Sequence, residues 1–257
     1  MATQYDNIGK KYASFKQLPL IPIETASIRA RLGDVTGLDC LDLACGLGDW
    51  TRRLAHLGAK TVTAVDISKS MIDGAIEALK QSDTPNLPIT YLRGDAMDPS
   101  SLNLPTQYDL IMGNWLLNYA PTYDHLTSMF LTIHSNLLSG GNFLGVTPNT
   151  FCPFFEPVDD GYGIHVEAIA EIDGTGNGEN WAKGWRCKLT ADVGEEGIEF
   201  EMFHFMHGFY ERAAQEAGLR EVRWWPMVAP EGEDEEGRFE RFWLRPHGCV
   251  LTARRPG

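Results

Sequence analysis

The feature that most constrains this chain is a strict alternation of short apolar runs and amphipathic helices between residues 38 and 147. The run Leu38–Ala44 predicts a buried strand that enters a tight turn at Cys45-Gly-Leu-Gly48. Residues 49–57 predict a helix, with Trp50, Leu54 and Leu57 on one face and Gly58 ending it. Thr61–Val65 predicts a strand closing at Asp66. Ser68 then caps a helix through Leu79, whose apolar face carries Met71, Ile72, Ala75 and Ile76. Strands at 89–92 and 109–112, a helix at 123–138 stopped by Gly140-Gly141, and a strand at 142–147 complete the series. Such alternation implies βαβ units, right-handed crossovers and a doubly wound, mostly parallel sheet.

Outside this stretch the pattern changes. Residues 20–33 have helical composition. Residues 150–206 are rich in aromatics and alternate. Runs at 162–172, 185–190 and 198–205 predict an antiparallel meander, with turns at 174–178 and 194–197. A helix at 208–217 and strands at 222–225 and 244–253 follow, separated by a solvated acidic loop at 231–236. The expected organisation is a core with an N-terminal lid segment over 1–149, a β-rich cover over 150–206 and the rest of the core sheet over 207–257.

Composition narrows the partners. Lys+Arg 22 against Asp+Glu 35 leaves a net charge of −13, and no basic run offers a groove for a phosphate backbone, so nucleic acid is not expected. Five cysteines without a CxxC pair argue against a disulfide scaffold or zinc knuckle, and no metal is expected. No apolar h-region or 18-residue apolar span occurs, which predicts a cytoplasmic protein away from membranes. A monomer is the default, because no long heptad pattern suggests a partner.

The chemistry concentrates in Leu41–Gly48 and Val65-Asp66. A glycine turn at a helix start lets backbone approach a ligand, and Asp66, 20 residues past Gly46, is placed to take ribose hydroxyls. Together they indicate a nucleoside-containing cofactor. A dinucleotide fingerprint needs a third glycine, and Thr51 stands there instead. Asp42 and Asp49 flank the loop with negative charge, which repels a pyrophosphate and attracts a sulfonium. Asp95-Ala96 ends the third strand where an adenine amino group and ring nitrogen would meet a carboxylate and a backbone amide.

This ordered set resembles the class I S-adenosylmethionine-dependent methyltransferases. The family's acidic-x-Gly-x-Gly-x-Gly loop reads here Asp42-x-Ala44-x-Gly46-x-Gly48, with alanine for the first glycine. Asp66, Asp95-Ala96, Asp109–Asn114 and Leu137–Gly141 match the later motifs. The resemblance implies a seven-stranded Rossmann-like methyltransferase fold with an antiparallel insertion covering the substrate. It implies S-adenosyl-L-methionine as cofactor, held by Tyr12, Asp42, Ala44, Gly46, Gly48, Asp66, Ile67, Met71, Asp95, Ala96 and Asn114. Tyr5-Asp-x-Ile-Gly-x-x-Tyr12-x-x-x-Lys16 and Leu116–Tyr119 further resemble toxoflavin-synthase-type enzymes, in which the N-terminal segment folds over the ligands. That makes Tyr12 a lid residue; helix packing is the alternative.

The implied activity is in-line methyl transfer to an N or O atom of a small molecule, of secondary-metabolite type. The alternative is a cofactor-binding protein without methyl transfer, acting as a regulator or cyclisation catalyst. His165, His204 and His207 are candidate substrate bases, against a reading as ordinary strand or cap residues, and Asn118 is a candidate for orienting the acceptor. Phe151, Phe154, Phe155, Tyr162, Trp181 and Trp185 either wall the substrate pocket or form the insertion's own core.

Overall fold

A computed structural model describes residues 3–102, 104–151, 158–159, 162–173, 183–193, 197–232, 237 and 239–257. Seven strands form the central sheet: β1 (Asp39–Leu43), β2 (Thr61–Asp66), β3 (Ile89–Arg93), β4 (Tyr108–Met112), β5 (Leu137–Pro148), β10 (Arg220–Pro226) and β11 (Gly248–Arg254). Their order is β10-β11-β5-β4-β1-β2-β3, and β11 alone runs against its neighbours. The chain leaves β1 for β2 on one side, while β4 pairs with β1 on the other. That reversal opens a crevice at the carboxyl ends of β1, β2 and β4, where open α/β sheets hold ligands.

The inner strands are buried on both faces, which is why they read as continuous apolar runs, while the edge strands β3 and β10 are partly exposed. Side chains alternate: Leu41, Leu43, Ile111 and Phe143 pack with Phe130 of α5 (Tyr123–Asn136) and Phe209 of α6 (His207–Glu216). Cys40, Leu110, Met112 and Leu144 face the other layer, with Ile28 of α2 (Ile21–Leu32) and Leu54 of α3 (Asp49–His56). Helix α4 (Lys69–Lys80) starts at Ser68, whose hydroxyl accepts the Met71 amide at 3.3 Å.

Between β5 and α6 lies a second, four-stranded antiparallel sheet: β6 (Val158–Asp159), β7 (Ile164–Asp173), β8 (Lys183–Ala191) and β9 (Ile198–Phe205). The turn expected at 174–178, residues 194–196 of the turn expected at 194–197 and residues 233–236 of the acidic loop expected at 231–236 lie outside the described residues. The N-terminus forms a short helix, α1 (Gln4–Ile8), and a 3-10 stretch over Gly9–Gln17. Asp6 ties α1 to α4 by accepting the Ser68 hydroxyl at 2.7 Å, and the Ser70 hydroxyl donates to the Tyr5 carbonyl at 3.0 Å. Gln4 exchanges two hydrogen bonds with the Glu201 backbone of β9, at 2.9 and 3.0 Å. The N-terminus thus bridges core and second sheet.

Two boundaries differ from expectation. The helix expected to reach Leu138 ends at Asn136, and the chain enters β5 at once. Tyr108 pairs with Leu137 and Leu110 with Asn142, so extra residues bulge out with Gly140 at φ +80°. The strand expected from Leu244 begins only at Gly248. Glu240–Leu244 instead form α7, where Phe242 packs edge-on against Tyr162, and Pro246 cannot donate to a ladder. Among the described residues no helix is long and apolar enough to cross a membrane.

Candidate active site

Two adjoining chambers occupy the crevice. The larger, about 390 Å³, runs from the loop after β1 past Asp66 to Asp95-Ala96, and Thr3, Gln4 and Tyr5 of the N-terminal segment cover it. The smaller, about 180 Å³, lies between α2, the loop after β4 and the inner face of the second sheet. Tyr12, Ala44, Gly46, Asn114, Trp115 and Tyr119 line both and form their junction.

The larger chamber is shaped by backbone. Ala44, Gly46 and Gly48 all have positive φ, +61°, +53° and +74°, which folds the loop tightly before α3. The Gly46 amide donates to Asp66 Oδ2 at 2.9 Å, and the Ser68 amide donates to Oδ1 at 2.8 Å. Both carboxylate oxygens are thus fixed, and each keeps a second lone pair for a ligand hydroxyl. Burial raises the Asp66 carboxyl above its ordinary value, opposed by those two amides. Asp95 Oδ1 accepts the Met97 amide at 2.8 Å, which fixes the carboxylate at the far end. Nδ2 of Asn114, at the junction, is a buried donor with no partner among the described residues. A fixed acidic pair at the ends, a tight glycine loop between them and an open amide donor suit an elongated nucleoside ligand bearing a carboxylate.

Nine of the eleven expected cofactor residues line this chamber: Tyr12, Ala44, Gly46, Asp66, Ile67, Met71, Asp95, Ala96 and Asn114. Asp42 and Gly48 do not. Asp42 reaches the smaller chamber, where it accepts the Thr51 hydroxyl at 2.6 Å, and burial pushes its carboxyl up to about 7. Gly48 turns away from the ligand space. A Cβ there would lie 2.6 Å from the Tyr91 hydroxyl, so the glycine serves close packing and the α3 N-terminus.

The expected catalytic residues divide. Asn118 lines the smaller chamber, fully buried, with Nδ2 directed to the Met202 sulfur at 4.0 Å and Oδ1 without a partner among the described residues. The three histidines line neither chamber. His165 lies on the outer side of β7, where strand alternation puts it, and pairs with Asp192 at 2.9 Å. His204 shares the inner face but sits opposite Trp185, four residue pairs beyond Phe200 and Leu189. Burial lowers its imidazole to about 4. His207 begins α6 and stacks on Phe151 at 4.4 Å.

The aromatic wall differs too. Phe154, Phe155 and Trp181 lie outside the described residues. Phe151 packs with His207 and Trp224, Tyr162 with Phe239 and Phe242, and Trp185 with His204. The second sheet gives the smaller chamber Ile164, Leu189, Phe200 and Met202 instead, while Phe15, Trp50 and Trp115 come from the core and its N-terminal segment.

Sequence reasoning missed Tyr5, Glu24 and Trp115. Tyr5 shares a hydrogen bond between hydroxyls with Tyr119. Trp115 follows β4 at φ +55°, a costly conformation for a bulky residue. Its amide donates to Val146 O at 2.8 Å and its indole Nε1 to Glu24 Oε2 at 2.8 Å, which hold it there. Burial raises the Glu24 carboxyl, against the pull of that indole hydrogen bond. A helical Glu in a mixed sequence carries no signal of this role.

Comparison with known proteins agrees with this geometry. Residues 40–141 match the family model described as "Methyltransferase domain". A demethylmenaquinone methyltransferase of Lactococcus lactis is 37% identical over 99 residues, covering 38% of this chain and 37% of that relative, so the match spans well under half its length. The CcbJ methyltransferase of Streptomyces caelestis superposes with a TM-score of 0.67 at 18% identity, over 100% of this chain and 99% of that one. An S-adenosylmethionine-dependent methyltransferase of Mesorhizobium loti gives 0.60 at 24% identity, over 91% and 98%. Residues 40–141 are thus similar to a methyltransferase domain, and the chain shares the fold of solved S-adenosylmethionine-dependent methyltransferases.

Proposed function

We propose that this chain transfers the methyl group of S-adenosylmethionine, in line, to an N or O atom of a small molecule. The observation that carries this is the pair of chambers meeting at one wall, one built for a nucleoside and the other largely apolar. In this reading residues 1–149 and 207–257 form the cofactor-binding core and 150–206 cover the acceptor. Asp66 accepts the ribose hydroxyls and Asp95 the adenine amino group. Asn114 donates its open Nδ2 near the junction, and Tyr12 closes over both ligands. When bound, the cofactor supplies a methyl carbon on a positively charged sulfur, open to displacement by an acceptor's lone pair. The chain's own part is alignment and exclusion of water. Asn118, with its free Oδ1, orients the acceptor.

Incubation with S-adenosylmethionine carrying a labelled methyl group and a panel of small amines and alcohols tests the reading. Label in an acceptor, read by mass spectrometry, supports it. Tight cofactor binding with no transfer to any class would favour a cofactor-binding regulator.

A further inference from the structure

We propose that the smaller chamber selects a protonated amine on a compact, largely apolar scaffold, and that Glu24 is the residue that selects it; this rests on the methyltransferase reading above. The other charges at this chamber are already engaged. Asp49 is met by Lys16 at 2.8 Å, Arg53 at 3.2 Å and Arg52 at 3.7 Å. Asp42 holds the Thr51 hydroxyl. Glu24 forms no ion pair with a described residue, and its one side-chain hydrogen bond, from Trp115, occupies Oε2. Among the described residues Oε1 has no hydrogen-bond donor, and neither has the buried Oδ1 of Asn118 on the same chamber. Apart from Asn114 Nδ2, given above to the cofactor, and Asp42, whose burial lets it keep its proton up to about pH 7, the unmet needs of this wall are acceptor oxygens and the negative charge of Glu24. A ligand that satisfies them brings N–H donors and a positive charge.

Size narrows the scaffold. A cavity of about 150 Å³ holds one benzene. The chamber, at about 180 Å³, holds a ring with a short arm, and an apolar recess of about 40 Å³ continues from it past Glu24 and Trp115. The chemistry closes on the same residue. The bound ammonium passes one proton to the Glu24 carboxylate, and the freed lone pair on nitrogen takes the methyl group. The sulfur leaves with the bonding pair, the methylated nitrogen keeps the single positive charge, and Glu24 returns its proton to water.

The test is calorimetric titration of the 257-residue chain, saturated with S-adenosylhomocysteine, with 2-phenylethylamine and with the matched 2-phenylethanol. The amine is expected to bind at least roughly tenfold tighter than the alcohol. Glu24→Gln keeps an oxygen for the Trp115 indole and removes the charge. It should weaken the amine roughly 10- to 100-fold and leave the alcohol within about twofold. Methyl transfer to the amine, read by mass spectrometry, should fall with it. An amine that does not bind, binds no better than the alcohol, or keeps its preference or its methylation in Glu24→Gln would overturn the proposal. Loss of S-adenosylhomocysteine binding is a separate readout, and would overturn the methyltransferase reading beneath it.

Discussion

The two chambers share a wall but are built by opposite means. The larger takes its backbone and fixed carboxylates from short stretches of chain: Ala44 and Gly46 of the loop after β1, Asp66-Ile67 and Gly94–Met97. The smaller is assembled from side chains far apart in sequence, with Glu24 from α2, Trp115 and Asn118 after β4, and Phe200 and Met202 from β9. A ligand gripped by backbone needs glycines and acids at set spacings. A ligand gripped by assorted side chains leaves no such record. The comparison predicts that substitutions on one side of the shared wall act on one ligand only.

The largest effect belongs to Asp66→Ala. It removes the anchor of the Gly46 and Ser68 amides together with the proposed ribose acceptor. Affinity for S-adenosylhomocysteine should fall by about 2–3 kcal/mol, seen by titration calorimetry on a protein that keeps its circular dichroism. Unchanged affinity would break the contrast at its stronger end.

Next comes Met202→Ala in the second sheet. Met202 is 3% exposed and faces Asn118, so its loss should cost about 2–3 kcal/mol in urea unfolding. It should raise the KM of the acceptor while cofactor affinity stays within about twofold. A matching loss of cofactor affinity would mean that the chambers are not separable.

Asp42 gives a pH signature. Its carboxyl is pushed up to about 7 by burial, so the folded protein holds a proton that the unfolded chain releases near its ordinary value of 3.8. The folded state binds more protons in that window, so this group's stabilisation is full below about 4 and is lost as pH rises toward 7. Asp42→Asn should flatten the fall of the urea midpoint over this range. An identical slope in the variant would contradict the buried placement.

The smallest effect is Ala44→Gly. Ala44 holds φ +61°, where an L side chain is strained and glycine is not. Relief of strain and the added freedom of the unfolded chain nearly offset each other, so stability should change by less than about 1 kcal/mol. Cofactor affinity should hold or improve. A large loss would show that the Ala44 methyl group, not the loop's backbone path, holds the ligand.

What was legible follows the same division. The parallel strands were readable because burial on both faces makes them unbroken apolar runs, and the Ser68 cap because its hydroxyl answers a local need. The larger chamber, proposed here for the cofactor, has a lining that loop and acids foreshadow. Where the histidines lie was not legible, because residue type says nothing of which face a strand presents. The pleat turns His165 outward, and His204 lies too far along β9. Glu24 was invisible, because its meaning depends on Trp115, which lies 91 residues away and is held at a positive φ that only the fold creates.

The most direct test is side-by-side calorimetric titration of the chain with S-adenosylmethionine, S-adenosylhomocysteine and NAD. Micromolar binding of both sulfur nucleosides with none of NAD is the predicted result. Binding of NAD, or of neither sulfur nucleoside, would contradict the assignment of the larger chamber and with it the account of the site.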